Sequence, residues 1–154
     1  DIITMFHVLE HMPSFESLRV AWSILNEGGY LFIEVPNVET KDASPHNIFF
    51  KAHLFYFNRA TLSACASKYF APMVIEERSN LRILFKRKSR QSHISLPKQD
   101  DVSHIALRLQ QKGWFEYLFA GGGAYKPFFK LIQLIQEARV KNRSNLDILN
   151  SFLS

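Results

Sequence analysis

Asp1-Ile2-Ile3-Thr4-Met5-Phe6-His7-Val8-Leu9-Glu10-His11-Met12-Pro13 is the stretch that decides the fold. It opens as a mostly apolar, β-prone run and then places two imidazoles and one carboxylate between His7 and His11. An apolar run closing on a polar cluster reads as a buried strand that delivers side chains to the edge of a sheet. In open α/β sheets, ligands bind outside the carboxyl ends of the strands. The stretch is therefore expected to form one rim of an active site. The other rim is expected from residues outside this sequence.

The next segments support a strand–helix–strand unit. Ser14 follows Pro13 and is a candidate N-cap. Phe15, Leu18, Ala21, Trp22 and Leu25 recur at helical spacing, which predicts an amphipathic helix over 15–26. Gly28-Gly29 supplies its stop. Tyr30-Leu31-Phe32-Ile33-Glu34-Val35 is a second apolar strand, ending at Pro36-Asn37. Short connections around one helix are the mark of parallel strands with a right-handed crossover.

Residues 38–52 have no clean period and are punctuated by Pro45, which predicts a binding loop or lid. Asn58 is a candidate N-cap for a helix over 59–70, with Leu62, Cys65, Ala66 and Tyr69 on one face. Met73–Arg78 and Leu81–Lys86 read as strands joined at Ser79-Asn80, an antiparallel hairpin. A basic linker over 87–99 leads to a helix capped by Asp100 or Asp101, with Val102, Ile105, Ala106 and Leu109 inward. Gly121-Gly122-Gly123 reads as a hinge. A further amphipathic helix is predicted over 126–141 and a short one over 146–153.

Composition limits the function classes. The chain has 154 residues, enough to bury a sizeable core. A hydrophobic fraction of 47% excludes a disordered chain. The single cysteine, Cys65, excludes an intramolecular disulfide and points to a reducing, cytoplasmic compartment. No run approaches the roughly 20 apolar residues of a membrane span. The net charge is +5, concentrated in Lys86–Arg90 and Arg139–Arg143. Either cluster suits an anionic surface, and both equally suit solvated element ends, so no strong nucleic-acid signal follows. The chain opens on Asp1 inside a strand-like run, and its natural start is expected upstream.

The ordered set Asp1–Ile3, Phe6–His11, Leu25–Asn37 and His53–Leu62 resembles the second half of class I S-adenosylmethionine-dependent methyltransferases. The resemblance covers about residues 1–87. It implies an α/β fold: a partial Rossmann-like methyltransferase domain supplying strands four to seven, with a mixed sheet, a terminal antiparallel hairpin and C-terminal helices. The division is expected at 1–88 for the domain half and 89–154 for a helical extension. Strands one to three are absent, and no Gly-x-Gly turn follows a strand.

The resemblance also implies roles. Phe6, His7 and Met12 would lie against the cofactor, S-adenosylmethionine. His7, Glu10 and His11 would be the catalytic set, with Asn37, His53 and Tyr56 facing the acceptor. Histidine suits proton transfer near neutral pH, with Glu10 orienting an imidazole. A Glu-x-x-Glu-His motif with a later His is the metal site of small-RNA 2′-O-methyltransferases. Glu10 and His11 match it and His53 is placed to match the later His, but His7 stands where the motif has Glu. A divalent metal on Glu10, His11 and His53 is thus the alternative to a metal-free site. Glu10 and His11 equally suit a role in shaping the loop. His46, His93 and His104 read as surface residues, and Cys65 as a structural thiol. The expected function is methyl transfer to oxygen on a small-molecule, sugar or lipid-precursor acceptor. The alternative is a non-catalytic interaction module built on a degenerate half-domain.

Overall fold

A computed structural model describes residues 1–141. The helix expected over 146–153, with Asn142 and Arg143 of the second basic cluster, lies outside the described residues. The elements run β1 (Ile2–Phe6), a 3-10 turn (Leu9–His11), α1 (Glu16–Ile24), β2 (Tyr30–Pro36), α2 (Pro45–Ile48) and α3 (Arg59–Ala66). They continue with β3 (Phe70–Glu77), β4 (Asn80–Arg87), α4 (Gln99–Gln111), two short turns (Glu116–Ala120 and Gly123–Tyr125) and α5 (Lys126–Lys141).

The four strands form one sheet in the order β1-β2-β4-β3. β1 and β2 are parallel, from Ile2 opposite Tyr30 to Phe6 opposite Glu34. β4 is antiparallel to β2, and the β3–β4 hairpin closes that side with a bulge between Pro72 and Val74. The mixed sheet and the terminal hairpin are as the sequence predicts.

Strand alternation gives the sheet two unlike faces. Leu31, Ile33 and Val35 of β2 and Leu81, Ile83 and Phe85 of β4 are fully buried. They pack with Leu18 and Ala21 of α1 and Leu62 and Ala66 of α3. The other face is uncovered among the described residues. Ile2 and Phe6 of β1 and Val74 of β3 are exposed there, beside partly buried Phe32 and Leu84. A parallel sheet normally has both faces covered. β1 is also an edge strand, with one row of backbone groups unpaired within the sheet.

Local signals place several boundaries. Gly28 takes a left-handed φ of 78°, as a turn after α1 requires. Asn58 caps α3 by accepting the Thr61 N–H at 3.0 Å, and the Thr61 hydroxyl accepts the Asn58 N–H in return. α3 ends at Ala66 rather than 70, because buried Phe70 already pairs with Arg87 as the first residue of β3. The loop expected over 38–52 contains the short helix α2, capped by Ser44.

The largest departure is α4. Val102 and Ala106, expected inward, are exposed, and the buried residue is Arg108. Its guanidinium donates to the Glu39 carbonyl at 3.2 Å and to Glu116 Oε1 at 2.9 Å. α4 is thus held by ions rather than by its apolar stripe. The expected hinge also has a packing role. A side chain on Gly121 would collide with the Lys41 carbonyl, and Gly122 has a φ of 69°.

Because the core lies on one face, deletions there are costly. Ile83→Ala should destabilise by about 2–5 kcal/mol in urea unfolding. Met73→Ala, at an exposed position, should stay within about 0.5 kcal/mol of the parent.

Candidate active site

His7 ends β1. Its N–H donates to the Glu34 carbonyl at 2.9 Å, continuing the ladder by one bond. Its φ of 51° is the one positive value at a non-glycine among the described residues. Backbone held in that region is strained and concentrates at functional sites. The turn lifts the imidazole between two carboxylates. Nδ1 lies 3.1 Å from Glu10 Oε1, and Nε2 lies 3.2 Å from Glu34 Oε1.

Glu34 is the hub on the sheet side. It accepts from Asn80 Nδ2 at 2.9 Å and from Arg82 Nε at 2.5 Å, and Arg82 also donates to Glu76. Burial pushes the Glu34 carboxyl up, but the Arg82 hydrogen bond and charge outweigh it, helped by Asn80 and His7. The net effect holds it below its ordinary value. Glu34, Asn80 and Arg82 are site residues that sequence reasoning missed. The signal was a lone carboxylate inside an apolar strand, which becomes readable only once β2–β4 register sets Glu34 opposite Arg82.

Glu10, His11 and His53 form the second half of the site. Glu10 is 1% exposed. Its carbonyl accepts the N–H groups of Leu54 and Phe55 at 2.8 and 3.3 Å, which stitches the 3-10 turn to the 53–57 segment. His11 Nδ1 lies 2.9 Å from the Ala52 carbonyl, and His53 Nδ1 lies 3.1 Å from the Ile48 carbonyl. A carbonyl only accepts, so each Nδ1 carries the proton and each neutral ring keeps its lone pair on Nε2. One ligand atom from each of Glu10, His11 and His53 falls within 4.8 Å of the others. Glu10 Oε2 is buried with no hydrogen-bond partner among the described residues.

This donor set fits a divalent cation. Backbone carbonyls fix both imidazoles from behind, the outer support that metal-binding histidines use. A cation would also satisfy the orphaned Glu10 oxygen. Two imidazoles favour Zn²⁺ or Mn²⁺ over Mg²⁺.

A cleft of ≈ 540 Å³ opens over these groups, lined by His7, His11, His53, Asn80 and Lys126 and by the 42–48 rim. Asp42 on that rim is pushed up by burial, but hydrogen bonds from Ser79 and Thr40 and the Lys126 charge leave it below its ordinary value. His46, read as a surface residue, is exposed and sits on the rim. His93 is exposed as expected. His104, also exposed, pairs with Glu39 at 3.0 Å. Phe6 is exposed at the end of β1 and Met12 is partly exposed after the turn.

Two expected acceptor residues lie elsewhere. Asn37 is buried: its amide donates to the Arg78 carbonyl at 3.3 Å and accepts the Glu39 N–H at 3.0 Å. Its side chain is spent on the turn after β2. Tyr56 lines a separate apolar hollow with Phe15, Phe55 and Cys65. Burial pushes the Cys65 thiol up to about 11, in keeping with a structural role.

Residues 1–69 match the family model described as a methyltransferase domain. No curated protein matches the chain. Over residues 1–69 the chain is similar to a methyltransferase domain. The mixed sheet with its C-terminal helices is consistent with a partial Rossmann-like methyltransferase fold. No helix among the described residues is long and apolar enough to cross a membrane.

The lowered Glu34 pKa makes a signed prediction. Its contribution to stability is complete above the ordinary carboxylate value and is lost as pH falls through the lower, folded one. Glu34→Gln should be less stable than the parent near pH 7 in denaturant titrations. The gap should narrow below about pH 4.5, the ordinary glutamate value. A gap that widens on acidification would contradict the assignment.

Proposed function

We propose that this chain supplies one wall of an S-adenosylmethionine-dependent methyltransferase. The proposed reaction is transfer to oxygen of a small-molecule, sugar or lipid-precursor acceptor. The observation that supports it most is the cluster of His7, Glu10, His11 and His53 at the carboxyl end of β1, the place where such sheets bind ligands. The open sheet face and the unpaired edge of β1 support a second wall, with its glycine-rich turn, from residues outside this sequence. Cys65, the single and partly buried thiol, supports a cytoplasmic setting.

S-adenosylmethionine supplies an electrophilic methyl on sulfonium for in-line attack. The residues here would position the acceptor and manage its proton. Phe6, His7 and Met12 form the cofactor-side rim. His7, held between Glu10 and Glu34, is the more fixed imidazole. His11 and His53 point free Nε2 lone pairs into the cleft and are the available proton acceptors. Glu10, 3.9 Å from His11 Nε2, would favour the imidazolium that results. The 38–52 loop and Lys126 form the acceptor side.

A second reading, that Glu10, His11 and His53 hold a divalent metal, is supported by the partnerless Glu10 oxygen and the two anchored imidazoles. Bound there, such an ion would make an acceptor hydroxyl more acidic.

Two measurements test these readings. In calorimetry with S-adenosylhomocysteine, the chain alone should give no measurable heat, and protein carrying the residues that complete the sheet should bind. Tight binding by the chain alone would refute the need for a second wall. In equilibrium dialysis, Zn²⁺ should bind at one equivalent. Glu10→Gln and His53→Ala should each weaken it by about 10–100-fold or more, and His46→Ala should leave it unchanged. Equal binding by all four proteins would remove the metal reading.

A further inference from the structure

We propose that the apolar surface formed by Trp114, Phe115, Phe119 and helix α5 is a docking surface for an anionic lipid bilayer. This inference is independent of the methyl-transfer reading.

Its apolar side chains are exposed among the described residues. Phe115 is 81% exposed and Phe119 72%. On α5, Phe128, Leu131, Ile132 and Ile135 recur at helical spacing, share one face and are all exposed. Phe129 and Leu134, also exposed, widen that face. Every residue from Lys126 to Ile135 is exposed, so no part of the described chain covers either side of this stretch. Exposed large apolar side chains that share one helix face mark interaction or membrane surfaces.

Charge and residue type select the occupant. Residues 89–154 carry nine Lys and Arg against five Asp and Glu; of the nine, Arg108 and Lys112 are buried against Glu116, and Lys126 and Lys130 are exposed on α5. Between Trp114 and Lys141 the acidic residues are Glu116 and Glu137, against four basic ones. Glu116 is already engaged, 2.9 Å from Arg108 and 3.4 Å from Lys112. A basic, aromatic-rich surface with little free acid complements anionic headgroups, while the Phe, Leu and Ile side chains suit the headgroup–acyl boundary. Trp114 and Tyr125, both exposed, are the residue types that settle at that boundary.

The surface begins at the cleft. Lys126 starts α5, donates to the Asp42 carbonyl at 2.6 Å and lines the cleft beside Asp42. The Gly121–Gly122 turn, with Gly121 against the Lys41 backbone, fixes where α5 departs. Docking through α5 would hold the mouth of the cleft at the bilayer surface.

The test is cosedimentation of the chain with vesicles of phosphatidylcholine alone and of phosphatidylcholine with phosphatidylglycerol. The expected result is binding to the second, weakened by salt, with a blue shift in tryptophan emission. Trp22 is packed in the body, its indole N–H on the Lys88 carbonyl, so the shift should disappear in Trp114→Phe. The double variant Phe128→Glu/Ile132→Glu, checked for unchanged secondary structure by circular dichroism, should bind at least about tenfold more weakly. Lys130→Glu should weaken binding to the anionic vesicles. Failure to sediment with phosphatidylglycerol vesicles would overturn the proposal. So would a double variant that binds them as the parent does while changing from dimer to monomer in size-exclusion chromatography, since that assigns the face to a second copy.

Discussion

The burial of the Glu10 carboxylate is the constraint on which the site depends. A carboxylate at 1% exposure is costly unless its oxygens find partners. One oxygen faces His7, and the other faces none of the described groups. The Glu10 backbone carbonyl, meanwhile, receives two N–H groups from the 53–57 segment. That pair of bonds brings His53 beside His11, with ring centroids 4.9 Å apart. A single residue thus ties the end of β1 to the segment before α3. Without it, His7, His11 and His53 would be three unrelated imidazoles in sequence.

The sheet, too, has one satisfied side and one exposed side among the described residues. One face is sealed by α1 and α3, and the other presents Ile2, Phe6 and Val74. The charged row Glu34–Arg82–Glu76 crosses that open face and stiffens it at the carboxyl end of β2. Its outermost member next to β1 is the partner of His7. The polar chain from Glu10 through His7 to Arg82 is therefore continuous with the sheet register. Residues 1–69, the stretch similar to a methyltransferase domain, and the hairpin that follows share this network.

Much of this was legible in the sequence because the signals were local. Helical spacing from Phe15 to Leu25, the alternation in β2, the Asn58 cap and the hairpin all depend on neighbours in the chain. Glu10, His11 and His53 stood in the sequence only as an alternative ligand set; one ligand atom from each lies within 4.8 Å of the others. What failed depended on contacts between elements. Glu34 gains its role from cross-strand register with Arg82, which no periodicity shows. Asn37 suited either an acceptor-facing role or an ordinary turn, and the turn consumes its amide. α4 follows Arg108 to Glu39 rather than its apolar stripe, because the nearest surface offers a carboxylate.

The most direct measurement is a crystal structure of the protein, with its sheet completed, bound to S-adenosylhomocysteine. The account predicts the thioether sulfur beside the Phe6–Met12 turn, with the cleft of His7, His11 and His53 open on its acceptor side. A nucleoside bound away from the carboxyl end of β1, with that turn untouched, would contradict it.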